Sequence, residues 1–330
     1  MPPHDQSNVV VLPSRGGKRR IALPAEHDLD LSHLDAATVI TRNYKTVRFV
    51  QVGAGGNGSF LAYNIARLAA VLEETGRRCK IVIIDPDRVE EGNVPRSNFS
   101  ESEIGGYKAQ ALALRFSRAW GVCITAVNRK FHPSLLWQSH EQNCLTVMAG
   151  AVDNPGARRA INRALVACRE AEGRTPETWW IDCGNGRETG QVLIGSATTP
   201  EQLRGAFATE MLCQSLPSPA MQRPDLLRAT DEGPKRRQRL SCLQLMLMNE
   251  QSLMINQRIA NEAGEMLTQL LLYRNLQRFA TFVDTKLGVQ TSEYTTPEAV
   301  ARSIRKKRTD FLLDASVLEE EYDQAFEDAA

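Results

Sequence analysis

The stretch Val47-Arg48-Phe49-Val50-Gln51-Val52-Gly53-Ala54-Gly55-Gly56-Asn57-Gly58-Ser59 decides how this chain folds. Val47 to Val52 reads as a short apolar strand, and residues 59 to 72 carry the apolar spacing of a helix. Between them, Gly53 to Gly58 satisfies G-x-G-x-x-G. A strand that turns this tightly into a helix aims backbone N–H groups and the positive helix end at one point, a natural seat for phosphate. Asp85, at the end of the next apolar stretch, is placed to accept hydrogen bonds from a ribose hydroxyl pair. NAD and ATP satisfy these features equally, so the glycine turn alone fixes only a nucleotide.

Strand and helix patterns alternate outward from this turn. Strands are expected at residues 80–85, 123–128 and 145–151, and helices at 106–120 and 155–170. The alternation predicts an α/β fold, a Rossmann-like and mostly parallel sheet with helices on both faces. Residues 179–183 and 191–194 suggest two further strands around a turn at 184–190. Residues 243–272 read as one long apolar helix lightly broken by Gly264, residues 279–283 and 288–295 as strands, and the segment from Pro297 as helical. The organisation expected is an N-terminal extension (1–45), a nucleotide-binding domain (46–195), a Pro-rich crossover loop (196–240) and a helical part completing the fold (241–330).

The 330 residues carry 40 Lys and Arg against 39 Asp and Glu, a net charge of +1. That balance argues against a dedicated nucleic-acid or membrane-surface binder, and the basic run Lys235 to Arg239 reads as a solvated loop. No window approaches 18 apolar residues and no signal-peptide pattern is present, so a cytoplasmic protein is expected. Seven cysteines without C-x-x-C spacing exclude paired-cysteine zinc sites and a simple disulfide framework.

The discriminating stretch is Asp85-Pro86-Asp87-Arg88-Val89-Glu90-Glu91-Gly92-Asn93-Val94-Pro95-Arg96, followed by Gly105-Gly106-Tyr107-Lys108-Ala109 and by Asp153-Asn154. It resembles the ubiquitin-activating (E1-like) adenylation family of ThiF, MoeB and HesA, in which D-x-D-x-V-x-x-x-N-x-x-R, G-x-x-K-A and an Asp-Asn pair follow the glycine loop in this order. The resemblance covers roughly residues 46–200 and, more loosely, 240–275. It implies ATP and Mg²⁺ as cofactors. Gly53, Gly55, Gly56, Gly58, Asp85, Asp87 and Asn93 would bind the nucleotide, Arg96 and Lys108 its phosphates, and Asp153, with Asn154 beside it, the Mg²⁺. These residue types suit adenylation, in which a carboxylate attacks the α-phosphate of ATP and several phosphate charges must be offset. The partner implied is a small ubiquitin-like carrier protein whose C-terminal carboxylate is activated, and a homodimer is expected. An amino acid or peptide end is an alternative carboxylate.

Some members pass the acyl group to a cysteine. Cys242 is the first candidate here and Cys213 the second, because the basic run between them could lower a thiol pKa. Ser241-Cys242 and Gln251-Ser252-Leu253 through Asn256-Gln257 resemble a stretch in bacterial members, including the PRTRC-system branch. Two departures stand out: Ser97 replaces the common Gln, and only Arg42 stands where small members carry an arginine that reaches across a dimer. The competing readings are an NAD(P)-dependent oxidoreductase using the same glycines and Asp85, and an inactive relative acting as a scaffold.

Overall fold

A computed structural model describes residues 31–136, 143–173, 175–207, 209, 211–228 and 253–306. In chain order the elements are β1 (Thr38–Val39), β2 (Thr46–Val52), α1 (Gly56–Glu74), β3 (Arg78–Ile84), α2 (Lys108–Trp120), β4 (Ile124–Val127) and β5 (Cys144–Gly150). Then come α3 (Pro155–Ala171), β6 (Thr178–Asn185), β7 (Thr189–Gly195), β8 (Leu212–Cys213), α4 (Pro219–Gln222), α5 (Ile255–Thr268), β9 (Arg278–Asp284), β10 (Val289–Tyr294) and α6 (Pro297–Ser303).

One eight-stranded sheet runs in the order β10-β9-β7-β6-β5-β2-β3-β4. Its members β4, β3, β2, β5 and β6 are parallel, while β7, β9 and β10 are added antiparallel. The parallel order reverses between β2 and β5, so the loops after these two strands diverge to opposite faces and open a crevice at their carboxyl ends. The fold expected from the alternation is therefore present, and β7, β9 and β10 account for the antiparallel share of the sheet.

Side-chain alternation explains how the sheet is covered. Val47 and Phe49 of β2, Leu145, Val147 and Ala149 of β5, and Trp179 and Ile181 of β6 face one buried cluster, shared with α1, α2 and α5. Val50 and Val52, Met148 and Trp180 face a second, with Ile161, Ala164 and Leu165 of α3. The central strands are thus apolar on both faces, as a parallel sheet between two helix layers requires.

Three local features differ from the sequence expectation. Gly264 does not break its helix: a Cβ there would stand 2.9 Å from Asn64 Cβ, so the glycine lets α5 close on α1. Described residues of the first segment are woven into the fold, since β1 pairs in parallel with β8 and Ala36, Ala37 and Val39 are buried. The Pro-rich stretch, expected as loop, contributes β8, the short helix α4 and two 3₁₀ turns. Residues 229–252, which include the basic run and the start of the expected long helix, lie outside the described residues.

Candidate active site

The turn after β2 is built by four residues. Gly53 has φ +97°, which an L side chain rarely adopts, and a Cβ on it would stand 2.4 Å from the Ala151 carbonyl oxygen. A Cβ on Gly58 would stand 2.2 Å from the Gly53 carbonyl oxygen, which lets α1 start directly against the strand. Gly55 has nothing within 4 Å of such a Cβ, so backbone is exposed to the crevice at this point. Buried Gln51 braces the turn from below, its Nε2 donating to the Gly53 carbonyl at 2.9 Å and the Gly58 carbonyl at 2.8 Å. The first turn of α1 holds no acidic residue, so its positive end is left for an incoming anion.

Asp85 fastens this turn to the neighbouring strand. Its carboxylate accepts from the Ala54 N–H at 2.7 Å and the Asp87 N–H at 2.8 Å. Burial pushes its pKa up, opposed by those two hydrogen bonds and by Lys108. Lys108, the first residue of α2, donates from Nζ to Asp87 at 3.3 Å, and its backbone N–H bonds the Asp87 carbonyl at 2.9 Å. Asn93 Oδ1 accepts from the Glu90 N–H and closes a short 3₁₀ turn, and Arg96 Nε donates to the Gly92 carbonyl at 3.2 Å.

On the other side of the reversal point, Asn154 caps α3 by accepting from the Ala157 N–H at 2.8 Å. The cap is thus supplied by Asn154 and leaves its neighbour free. The exposed Asp153 carboxylate has no hydrogen-bond or ion-pair partner among the described residues. The structure gathers Gly53, Gly55, Gly56, Asp85, Asp87, Asn93, Arg96, Lys108, Asp153 and Asn154 around one cleft of about 1350 Å³. Gly58 supports the cleft from within the turn. The volume exceeds the usual range for a single small ligand, leaving room for a second.

The model of the ThiF family matches residues 32–203, half of the chain. The chain belongs to the ThiF family. No curated protein matches it. Among solved structures it is similar to PaaA, at 14% identity over 76% of this chain and 64% of that one, with a TM-score of 0.48. It is similar also to E. coli MccB crystallised with AMPCPP and MccA, at 14% identity over 75% and 63% of the two chains with a TM-score of 0.46. For E. coli MccB with ATP the values are 13%, 76%, 64% and 0.47. The chain thus spans a little under two thirds of the length of these relatives.

Two groups of cleft residues in this ThiF-family chain carry no signal in its sequence motifs. The first is an amide relay. Asn57 Nδ2 donates to Asn185 Oδ1 at 2.8 Å, Asn185 Nδ2 to Asn256 Oδ1 at 3.0 Å, and Asn256 Nδ2 to the Arg96 carbonyl at 3.0 Å. It ties α1, β6 and α5 to the Arg96 segment. Asn57 stands at a variable position of the glycine motif and Asn256 within the Asn256-Gln257 stretch, yet nothing in the sequence links the three, because they are distant in the chain and amides carry no charge signature.

The second group is the pair Arg158 and Asp182, in which Arg158 Nε donates to both carboxylate oxygens at 3.1 Å. Asp182 has no exposed surface, and burial pushes its carboxyl pKa up against the pull of Arg158. Substituting Arg158→Gln leaves that burial unopposed and raises the folded pKa further. The folded state then holds a proton that the unfolded chain releases near pH 4, so stability falls as pH rises above that value. At pH 7 the loss should reach about 3–5 kcal/mol, the usual cost of breaking a buried pair. Urea unfolding between pH 5 and 8 should show this slope in Arg158→Gln and not in the Arg158→Gln/Asp182→Asn double variant. A single variant as flat as the double would contradict the account.

The cysteines separate clearly. Cys213 is fully buried on β8, its Sγ–H donates to the Ser215 carbonyl at 3.2 Å, and burial pushes its thiol up to about 12. It does not line the cleft, so the structure corrects the expectation of Cys213 as an acyl acceptor: an acceptor needs an accessible thiolate. Cys183 does line the cleft, yet it too is buried with its pKa raised, first by burial. Cys242 lies outside the described residues. Iodoacetamide at pH 8 should label exposed Cys123 and leave Cys213 unmodified in peptide mass spectra of the native protein. Equal labelling of both would show that β8 opens in solution.

Ser97 is buried and outside the cleft lining, and Arg42 pairs with Glu177 of the same chain. Among the described residues no group of three or more His, Cys, Asp or Glu could hold a metal ion alone, and no helix is long and apolar enough to cross a membrane.

Proposed function

We propose that this ThiF-family chain binds ATP in the cleft and adenylates a carboxylate, that of the C-terminus of a small ubiquitin-like protein. The observation that carries the reading is the convergence on one cleft of the open backbone at Gly55, the cations Arg96 and Lys108 and the uncommitted carboxylate of Asp153. Hydride transfer to or from a nicotinamide calls for the glycine turn and Asp85 but gives no role to Lys108 and Asp153 together.

In this reading the ribose lies by Asp85, and the phosphates lie over Gly55 and the start of α1. The α-phosphorus is attacked by a carboxylate oxygen of the partner. The new bond joins that oxygen to phosphorus, the bond from phosphorus to the bridging oxygen breaks, and its electron pair leaves with pyrophosphate. Lys108 and Arg96 offset the charge on the phosphate oxygens, and the burial of Lys108 strengthens its contact. Asp153 is the residue that would hold Mg²⁺. One free carboxylate beside a triphosphate suits an ion that completes its shell with phosphate oxygens and water, and when bound it supplies charge neutralisation of the leaving pyrophosphate. A transfer to cysteine after adenylation would fall to Cys242, which lies outside the described residues, because Cys183 and Cys213 are buried thiols.

The test is exchange of labelled pyrophosphate into ATP with purified protein and candidate ubiquitin-like carriers. Exchange that needs a carrier, vanishes in Asp153→Ala and persists in Cys242→Ala is the expected result. Carrier-independent exchange, or full activity in Asp153→Ala, would overturn the reading.

A further inference from the structure

Arg158 lies outside every motif of the sequence, yet it is the most unusual cation of the cleft. It is 8% exposed, and its partner Asp182 is 0% exposed. A guanidinium carries five N–H donors in a rigid fork, and here the pair with Asp182 consumes only the one on Nε. Nη1 and Nη2 make no hydrogen bond to any described residue, and neither is a buried unpartnered atom, so both open onto the cleft that Arg158 lines. Gly184 keeps that side clear, since a Cβ on it would already stand 3.3 Å from Arg158 Nη2.

Arg96 is only half-buried and spends its Nε on the Gly92 carbonyl, and the remaining cleft cations are either committed to partners or exposed. Lys108 is paired with Asp87, and Arg223 gives its three nitrogens to Asp225 and Gln191. Lys130 and Arg163 are exposed surface charges.

Placement across the sheet gives Arg158 a direction. Asp85 follows β3, the glycine turn follows β2, Asp153 follows β5 and Asp182 sits on β6, in the order in which these strands lie side by side. Three strand spacings of about 4.8 Å separate the ribose end from the Arg158 end, roughly 14 Å. With the ribose at Asp85, the α-phosphate over the glycine turn and the outer phosphates turned toward Lys108 on the β3 side, Arg158 on the β6 side faces the α-phosphorus from opposite the departing pyrophosphate, where an attacking oxygen must stand. A planar fork fits a planar two-oxygen anion.

We propose that Arg158, held in orientation by Asp182, is the receptor for the carboxylate that is to be activated. This rests on the reading of the cleft as an ATP site. Fixed donors there would align the carboxylate with the α-phosphorus and lower its repulsion from the phosphates.

The probe is triglycine, whose terminal carboxylate has no side-chain competitor, against triglycinamide, each titrated calorimetrically into protein saturated with α,β-methylene-ATP and Mg²⁺. The wild type should bind the acid at least tenfold tighter than the amide. The Arg158→Gln/Asp182→Asn variant, a neutral pair of similar shape, should bring that ratio below threefold while changing nucleotide affinity by less than threefold. A wild-type preference below tenfold, a preference retained in the double variant, or a nucleotide affinity lowered threefold or more would overturn the proposal, the last assigning the fork to phosphate.

A second measurement needs no variant. Phenylglyoxal should modify Arg158 of the wild type, and triglycine should protect it where triglycinamide does not; no modification, or no selective protection, counts against the proposal. A wild type that does not bind α,β-methylene-ATP takes down the ATP reading and this proposal with it. Intact nucleotide binding without acid preference takes down the carboxylate receptor alone.

Discussion

Alanine in place of Lys108 should weaken MgATP binding at least tenfold and slow adenylate formation by two to three orders of magnitude, the usual cost of removing one preorganised charge from a reacting phosphate. Lys108 is nine-tenths buried at the head of α2, and its Nζ faces an Asp87 side chain that is 65% exposed. A buried ammonium beside a solvated carboxylate retains most of its field for a ligand, because water screens Asp87 and not the cleft side. The backbone bond from the Lys108 N–H to the Asp87 carbonyl survives the substitution, so the local fold should persist. Asp87→Ala serves as the control: it removes the partner and keeps the cation, and it should cost less than tenfold in nucleotide affinity. Equal losses in the two variants would mean that Lys108 acts by holding Asp87, not by meeting phosphate.

Substituting Gly58→Ala should be among the most damaging single methyl additions in the chain's first half. Its Cβ would lie 2.2 Å from the Gly53 carbonyl oxygen and 3.3 Å from Ala151 Cβ, so the start of α1 must shift away from β2. That shift also breaks the reach of Gln51 to the two glycine carbonyls. Overpacking of this kind costs about 1–3 kcal/mol, and here it should also abolish nucleotide binding, because the turn is the proposed seat of the phosphates. Gly55→Ala is the informative contrast. Nothing lies within 4 Å of its Cβ, so thermal unfolding should be nearly unchanged while ATP affinity falls. A Gly58→Ala protein with wild-type melting and binding would show that the turn is slack.

Much of this architecture is legible in the residue pattern itself. The turn at Gly53 to Gly58 and the alternation around it are local signals, and local signals are enough for β2, α1, β3, α2, β5 and α3. The antiparallel additions are harder: β7, β9 and β10 are ordinary short strands, and only their pairing reveals that they extend the sheet beyond β6. At the site, ordered motifs mark Asp85, Asn93, Arg96, Lys108 and Asp153 because each carries a recognisable residue at a recognisable spacing. Gln51, Asn57, Asn185 and the Arg158–Asp182 pair leave no such trace. Gln51 acts locally, on Gly53 and Gly58, but through an amide that carries no charge signature; the others act through contacts between residues far apart in the chain, and a buried arginine is indistinguishable from a surface one until its aspartate is found beneath it. Cys213 shows the opposite failure, in which closeness in sequence to basic residues suggests an activated thiol that packing has buried between β8 and the core.

The central claim, that this cleft is built for a triphosphate, is tested most directly by calorimetric titration of MgATP and of NAD⁺ into the purified wild-type protein. The account predicts one MgATP site per chain whose affinity falls at least tenfold in Lys108→Ala, with NAD⁺ binding at least tenfold more weakly. Tight NAD⁺ binding that is indifferent to Lys108→Ala, with weak or absent binding of MgATP, would contradict it.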